Sequence, residues 1–281
     1  MNILRNAEKS TARRVGQAPC KGTIAFPALL FVFLSFPPLA GRADTFAVGP
    51  LADGILLGGS LVIGGASELF FHTSEPVDLG LADPGKINGF DRIAVFGYSR
   101  GLDLASDITL YTAVALPAVL CIFLNADGAV GVLVPYVESL ALADFSKNLL
   151  KYLLPRQRPW LYMAATGGAV PDTWEGNDSF PSGHATLAFA AAVFGLFAFT
   201  TYFPNSPYLV PFAALDLGLA TGTSVLRVTS GMHFLTDVLV GASLGAAFGA
   251  LIPILHESTQ WRALTGKSVP PVQVQLLTIP L

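Results

Sequence analysis

Charged side chains are scarce in this sequence. Only 12% of its 281 residues are Asp, Glu, Lys or Arg, whereas soluble domains carry about 25%. Hydrophobic residues make up 52% of the chain, and the mean hydropathy is +0.58. This shortage of charge indicates a membrane protein. The formal net charge of −3 lacks the basic excess of a nucleic-acid-binding surface, so we expect no nucleic-acid partner.

Residues that form disulfides or bind metals are also few. The only two cysteines, Cys20 and Cys121, lie far apart, one in an N-terminal leader and the other in an apolar run. They do not form a disulfide framework or a metal cage. The four histidines are not clustered with cysteines or carboxylates along the chain, so we expect no metal site and no cofactor.

Long apolar runs fill most of the chain. They cover about 51–71, 108–125, 129–154, 182–202, 206–226 and 233–255. Each is close to the ~20 residues that a helix needs to cross a bilayer core. Backbone groups in lipid must pair within their own segment, which favours helices over open strands. The sequence therefore predicts an all-α polytopic membrane bundle of about six transmembrane helices over residues 44–256.

The two ends of the chain are interpreted separately. Residues 1–43 combine a basic start, an apolar stretch and small residues at Gly41 and Ala43, which is typical of a signal peptide. An uncleaved signal anchor is the alternative. The proline-interrupted tail over 257–281 is left unassigned.

Small residues line one face of the last run. Gly241, Gly245 and Gly249 are spaced four apart, and such spacing lets helix backbones approach closely in a membrane. We interpret this face as a packing surface with no chemical role.

Charged and titratable groups stand at several ends of the apolar runs. A charge at mid-bilayer costs about 2.5–3.5 kcal/mol on insertion scales, so the presence of these groups in or beside apolar runs requires an explanation. They are Lys151 and Arg158 at the end of the third run, His184 at the start of the fourth, Arg227 at the end of the fifth, and His233 and Asp237 at the start of the sixth. If these ends meet, they form a cationic pocket with two imidazoles and one carboxylate. For Lys147 and Arg156 we favour an interfacial position, with the side chains reaching lipid headgroups.

Each of these local patterns can also be explained by helix structure alone, without a functional site. Pro155 predicts that the third helix kinks or ends there. His233 and Asp237 are four apart and can share a helix face, yet an acid in a first helical turn is common. Ser182 and Gly183 precede a helix start that could bind an anion or be simply capped.

Taken together, these residues resemble the type 2 phosphatidic acid phosphatase (PAP2) superfamily, which shares its site with vanadium haloperoxidases. The three motifs read Lys151, six residues, Arg158-Pro159; then Pro181-Ser182-Gly183-His184; then Arg227, five residues, His233, three residues, Asp237. The family has a serine before the third-motif arginine, where this chain has Leu226. The departure removes one supporting hydrogen bond and no reactive group.

The resemblance implies a metal-independent membrane lipid phosphatase. In the family the third-motif histidine attacks phosphorus, a role that falls to His233, with Asp237 orienting its other ring nitrogen. The second-motif histidine, here His184, protonates the leaving oxygen. The implied phosphate-binding residues are Lys151, Arg158, Ser182, Gly183 and Arg227. Phosphatidate, phosphatidylglycerol phosphate, undecaprenyl diphosphate and lipid A phosphate all remain open as substrates.

Two other functions are retained as alternatives. A vanadate-dependent haloperoxidase would use the same pocket, although relatives of that type are mostly soluble and larger. A non-catalytic anion-binding or transport protein is kept open by Asp216 and Glu138, because intramembrane acids can mark transport pathways.

The expected location is a bacterial-type inner membrane. If the leader is cleaved and 51–71 spans the bilayer, the site faces the cytoplasm, in agreement with the positive-inside count. Resemblance to family members that act on cell-envelope lipids favours the periplasm, which is the orientation we expect.

Overall fold

The computed structural model describes residues 46–70, 82–164, 167–171 and 176–257, together with Arg262 and Gly266. The leader predicted over 1–43 and most of the tail predicted over 257–281 lie outside the described residues.

Helices account for the regular structure of the described part. They are α1 (Ala52–Phe70), α2 (Arg100–Val119), α3 (Ala126–Leu153), α4 (Pro159–Ala164), α5 (Gly183–Tyr202), α6 (Leu209–Thr229) and α7 (Leu235–Glu257), with 3-10 turns at Pro84–Lys86, Asp91–Ala94 and Leu120–Phe123. No strand occurs within the described residues, and the all-α prediction is confirmed. Helix α3 ends at Leu153, in agreement with the break predicted from Pro155.

Five of these helices are long and apolar enough to cross a membrane. They are α2 with its following turn (Arg100–Phe123), α3, α5, α6 and α7. The apolar stretch of α1, Ala52–Ser67, is shorter. Of the six predicted spans, five therefore meet the length and hydropathy of a span, and the chain is a multi-pass membrane protein. Large apolar side chains such as Ile108, Val210 and Leu251 are exposed on the outer helix faces, where lipid would cover them.

Helix α5 lies at the centre of the bundle and packs against α2, α3, α6 and α7. Its contact with α7 is the closest, because three glycines of α7 face its backbone. A Cβ at Gly249 would lie 2.6 Å from the carbonyl oxygen of Ala190, and a Cβ at Gly245 would overlap that of Thr186. The packing role predicted for the glycine face is confirmed. This contact also fixes the starts of α5 and α7 beside each other.

Candidate active site

A short backbone pairing brings the first two motifs together. The amide of Arg156 donates to the carbonyl oxygen of Asn177 at 2.8 Å, and that of Arg158 donates to Gly176 at 2.8 Å. In return, the amide of Ser179 donates to the Arg156 carbonyl oxygen at 3.0 Å. The segment after α3 is thereby held along the segment before α5, although the two are about twenty residues apart in the sequence.

A tight turn joins α6 to α7 and positions the third motif. Gly231 has a φ of +77°, which favours glycine, and a Cβ there would lie 2.6 Å from the carbonyl oxygens of Phe96 and Gly97. The amides of Met232 and His233 both donate to the carbonyl oxygen of Arg227, at 3.2 Å each. The turn therefore places the end of α6 next to the start of α7.

A cavity of about 340 Å³ lies where these helix ends meet. Six of the eight predicted site residues line it: Lys151, Arg158, Gly183, His184, Arg227 and His233. The other charged and polar side chains on its wall are Lys147, Asp144, Asn148, Asp178 and Ser67. Four cationic side chains thus face two acidic ones, and the cavity suits an anion.

His233 is 1% exposed, and the orientation of its ring is defined by its neighbours. Its Nδ1 lies 2.7 Å from the carbonyl oxygen of Ser179, so Nδ1 carries the hydrogen and donates it. Nε2 then carries the lone pair and lies 3.5 Å from Nη1 of Arg158. Burial lowers the pKa of His233 well below its usual value, and the positive charges of Arg158 and Arg227 lower it further. The ring is therefore neutral, as a nucleophile must be.

Asp237 does not orient His233 in the way that was predicted. Its Oδ2 is 3.8 Å from Nδ1 of His233, and it instead accepts hydrogen bonds from Ser179 Oγ at 2.6 Å and from the Phe234 amide at 2.8 Å. It is fully buried and does not line the cavity. Because Asp237 holds the residue whose carbonyl binds the imidazole, its influence on His233 is indirect.

Arg156 is not a headgroup-facing residue, contrary to the interfacial prediction. Its guanidinium binds Asp237 Oδ1 and Asp91 Oδ2 at 2.6 Å each, and its Cζ lies 4.3 Å from the ring centroid of Phe234. Burial opposes the charge on Asp91, but hydrogen bonds from Arg156 and Thr236 hold the pKa of this carboxyl below its usual value. Arg156 therefore ties the 3-10 turn at Asp91–Ala94 to the start of α7. No local sequence pattern indicated this role.

Lys147 also departs from the interfacial prediction. It is 8% exposed and lines the cavity, with Nζ 2.9 Å from Asp144 Oδ1 and 2.6 Å from Asn148 Oδ1. It lies one helical turn before Lys151, on the same face of α3, and this spacing was the signal that could have identified it. A Cβ at Gly183 would lie 3.0 Å from the Lys147 side chain, so a glycine there leaves room for the lysine.

Helix α2 contributes two acids that the sequence interpretation missed. Asp107 Oδ1 lies 2.7 Å from Nε2 of His184, and Asp103 forms an ion pair with Arg227 Nη1. Asp107 is 77 residues from His184 in the sequence, so no local spacing could reveal the pair. These contacts fix a histidine and an arginine on the wall of the cavity.

The family model of the PAP2 superfamily matches residues 132–261. This part of the chain is similar to the PAP2 superfamily. It includes all three motifs and the helices α3 to α7 that carry them.

Two named relatives match parts of the chain. A decaprenylphosphoryl-5-phosphoribose phosphatase of Mycobacterium tuberculosis is 38% identical over 104 residues, which is 37% of this chain and 50% of the relative. A lipid A 1-phosphatase of Porphyromonas gingivalis is 33% identical over 135 residues, covering 42% of this chain and 28% of the relative. The chain thus spans half or less of the length of these curated relatives.

One solved structure is similar as well. It is a transmembrane PAP2 type phosphatidylglycerolphosphate phosphatase from Bacillus subtilis, with a TM-score of 0.47 and 20% sequence identity. The similarity covers 73% of this chain and 96% of the solved chain.

Two positions of the PAP2 motifs differ from the expectation. Ser182 does not line the cavity: it is fully buried, its Oγ accepts from the Ala185 amide at 3.4 Å, and its own amide donates to the Asp237 carbonyl oxygen at 3.0 Å. It therefore caps α5 rather than facing a phosphate. At the third motif, where Leu226 replaces the usual serine, Ser106 of α2 accepts from Arg227 Nη1 at 3.1 Å. A hydroxyl from another helix thus supports this arginine.

Proposed function

We propose that this protein is a metal-independent lipid phosphatase that removes phosphate from a membrane lipid phosphate or diphosphate through a phosphohistidine on His233. The observation that carries the proposal is the gathering of four cationic side chains around one neutral histidine. They are Lys147, Lys151, Arg158 and Arg227.

The cations suit a phosphate group. Arginine presents a planar fork that can bind two phosphate oxygens, whereas lysine acts as a compact point charge. Arg158 and Arg227 are 2% and 4% exposed, so their charges are largely shielded from bulk water. Fixed cations of this kind stabilise the charge of a phosphoryl transition state without reorganising.

The two histidines then carry out the nucleophilic attack on phosphorus and the proton transfers. Nε2 of His233 attacks phosphorus, the bond from phosphorus to the lipid oxygen breaks, and His184 gives a proton to that oxygen. In the second half, water attacks the phosphohistidine, His184 takes the proton from the water, and inorganic phosphate and neutral His233 are released. The roles of His233 and His184 come from the PAP2 resemblance, and the ring orientation of His233 supports its part.

A neighbouring apolar groove supports a lipid substrate. It has a volume of about 410 Å³ and lies between α1, α2, α3 and α5. Its walls include Leu61, Val114, Val137 and Leu140, and it shares Asp144 and Leu187 with the cationic cavity. A molecule with a phosphate at one end and an apolar chain at the other fits the pair of cavities. Both curated relatives are also named as phosphatases of lipid phosphates.

For location, we propose a bacterial inner membrane with the cavity facing the periplasm, an orientation that requires residues 1–43 or the 51–71 run to behave differently from a cleaved signal peptide followed by a spanning helix. The cavity lies at the same end of the bundle as the start of α2 and the end of α3. Alkaline phosphatase fused after residues 75 or 170 should therefore be active, and a fusion after residue 127 should be inactive. The opposite pattern would place the cavity in the cytoplasm.

The decisive experiment uses the purified full-length protein in detergent. Phosphate release is measured from a panel of lipid phosphates, and phosphoenzyme is trapped in alkali, because phosphohistidine is labile to acid. We expect the wild type to release phosphate and form phosphoenzyme, and His233→Ala to lose both, with turnover falling by roughly 10³-fold or more. Turnover equal to that of the wild type in a folded His233→Ala variant contradicts the mechanism. Bromide oxidation with vanadate and peroxide, without hydrolysis, would indicate the haloperoxidase alternative.

A further inference from the structure

A second polar cluster is buried at the other end of the bundle. Asp53 of α1, Glu138 of α3 and His256 of α7 are 3%, 0% and 0% exposed. One ligand atom from each lies within 4.8 Å of the other two. Since His256 is near the end of α7 and His233 just precedes its start, the cluster is separated from the cationic cavity by roughly 30 Å of helix.

The hydrogen bonds of His256 define which ring nitrogen faces this cluster. Nδ1 lies 2.9 Å from the carbonyl oxygen of Ile252, so it carries a hydrogen and donates it. Nε2 points to Asp53 Oδ1 at 2.8 Å and to Glu138 Oε2 at 3.2 Å. Nε2 therefore faces two carboxylate oxygens within hydrogen-bonding distance. A ring nitrogen this close to two carboxylates needs either a proton of its own or a cation held between them.

Glu138 gives the second and independent sign of a bound cation. Among the described residues, Oε1 of Glu138 has no hydrogen-bond partner and Oε2 has only Nε2 of His256 at 3.2 Å, although both oxygens are fully enclosed. Burying an ionised carboxylate without a partner is strongly unfavourable. Asp53, by contrast, is held in place because its Oδ2 accepts a hydrogen bond from the Gly49 amide. One carboxylate oxygen of Glu138 thus faces the same centre as Nε2 of His256.

We propose that Asp53, Glu138 and His256 bind a divalent transition-metal cation, for which zinc is the best match. One imidazole and two carboxylates are a ligand set that zinc accepts, with bonds of about 2.0–2.2 Å. The double charge of the ion neutralises the two acids. The second ring nitrogen of His256 already donates to a backbone carbonyl, which is the usual support of a metal-bound histidine. The ion would join α1, α3 and α7 and would take no part in phosphate chemistry.

This proposal differs from the expectation of no metal site drawn from the sequence. That expectation rested on the absence of clustered ligands along the chain. The three residues are 85 and 118 positions apart and meet only in the folded bundle.

The test measures metal content and thermal stability of the full-length protein in detergent. After purification without added chelator or metal, we expect about one equivalent of bound metal per chain by mass spectrometry. Removing it with a chelator should lower the Tm, and adding zinc or manganese back should restore it, because a ligand that binds only the folded state stabilises it. A wild-type protein that holds no metal, and whose Tm responds to neither metal, overturns the proposal and leaves a proton as the central cation.

Two variants identify the ligands. Glu138→Gln keeps the shape of the side chain but removes its charge, and we expect it to weaken zinc affinity by more than about 100-fold. Glu257→Gln is the matched control, since Glu257 is exposed next to His256 and should leave zinc affinity unchanged. Zinc affinity equal to the wild type in folded Glu138→Gln contradicts the assignment. If that variant does not fold, the metal dependence of the wild-type Tm still decides the question. Phosphate release is not a readout here, so the result is independent of the proposed phosphatase activity.

Discussion

Nδ1 of His233 binds the carbonyl oxygen of Ser179 at 2.7 Å, and Ser179 Oγ in turn donates to Asp237 at 2.6 Å. The carboxylate therefore reaches the imidazole through an intervening serine. A backbone carbonyl fixes the ring, and the acid fixes the segment that carries this carbonyl.

This indirect contact through Ser179 predicts that Asp237→Ala affects both stability and activity. The substitution leaves Arg156 with only Asp91 as an acidic partner and frees the Ser179 hydroxyl, so we expect the Tm to fall. Activity should fall as well, but by less than in His233→Ala, because the bond from Nδ1 to the Ser179 carbonyl does not need the carboxylate. Thermal unfolding and trapped phosphoenzyme are the measurements. Loss of phosphoenzyme as complete as in His233→Ala, with an unchanged Tm, would support direct orientation instead.

The contact between His184 and Asp107 predicts a loss that depends on the leaving group. His184→Ala should lower turnover of alkyl phosphates by about 10²-fold or more, and that of aryl phosphates with good leaving groups much less. Asp107→Asn should show the same selectivity with a smaller loss of turnover, because Asp107 positions the His184 ring and does not donate the proton. Asp127→Asn, exposed at the start of α3, is the control. An equal loss on both substrate types in His184→Ala argues against the acid role.

Lys147 is predicted to bind phosphate despite its absence from the three motifs. Because it supplies one of four cations on the cavity wall, Lys147→Met should raise the KM for a lipid phosphate, and the inhibition constant of inorganic phosphate, by roughly 10- to 100-fold. Lys86→Met, which changes an exposed lysine outside the cavity, should leave both constants near the wild-type values. Unchanged phosphate inhibition in Lys147→Met would show that Lys147 only pairs with Asp144.

The lowered pKa of His233 predicts a loss of stability in acid. In the unfolded chain the ring titrates near its usual value of about 6.5, whereas the folded protein binds the proton only at lower pH. The stabilising effect of the neutral ring is thus complete above about pH 6.5 and is lost as the pH falls toward the folded pKa. Between about pH 7.5 and 5.5, the Tm of the wild type should fall further than that of His233→Gln. Parallel Tm curves for the two proteins would contradict a lowered pKa.

The glycine face of α7 predicts a coupling between packing and activity. Gly245→Ala places a methyl group against the Thr186 carbonyl oxygen and should push α5 and α7 apart, with an overpacking cost of about 1–3 kcal/mol. We expect a lower Tm and reduced phosphate release. Gly218→Ala, on α6, has open space around the new methyl group and should cause neither change. Full activity in Gly245→Ala would show that the distance between the two helices is not critical.

The sequence predicted the helices and most of the cavity for a clear physical reason. Apolar runs of membrane length must be helical, and the three motifs stand at helix ends that the bundle brings together. Lys151, Arg158, His184, Arg227 and His233 accordingly line one cavity.

The contacts among side chains were less predictable. Hydropathy shows which residues lie in the membrane, but helices that are apolar nearly all round carry little information about rotation about their axes. For this reason Asp107, Asp103 and the inward position of Lys147 were missed. The role of Ser179 was hidden further, because its contact with His233 is made by a backbone carbonyl that any residue possesses.

The wall shared by the cationic cavity and the apolar groove has a consequence for product release. Asp144 and Leu187 border both spaces, so the bond to be broken would lie near the boundary between them. After cleavage, the two products prefer different solvents: inorganic phosphate partitions into water, and the dephosphorylated lipid partitions into the bilayer. Their separation into two phases would hinder recombination and draw the hydrolysis forward without any conformational change.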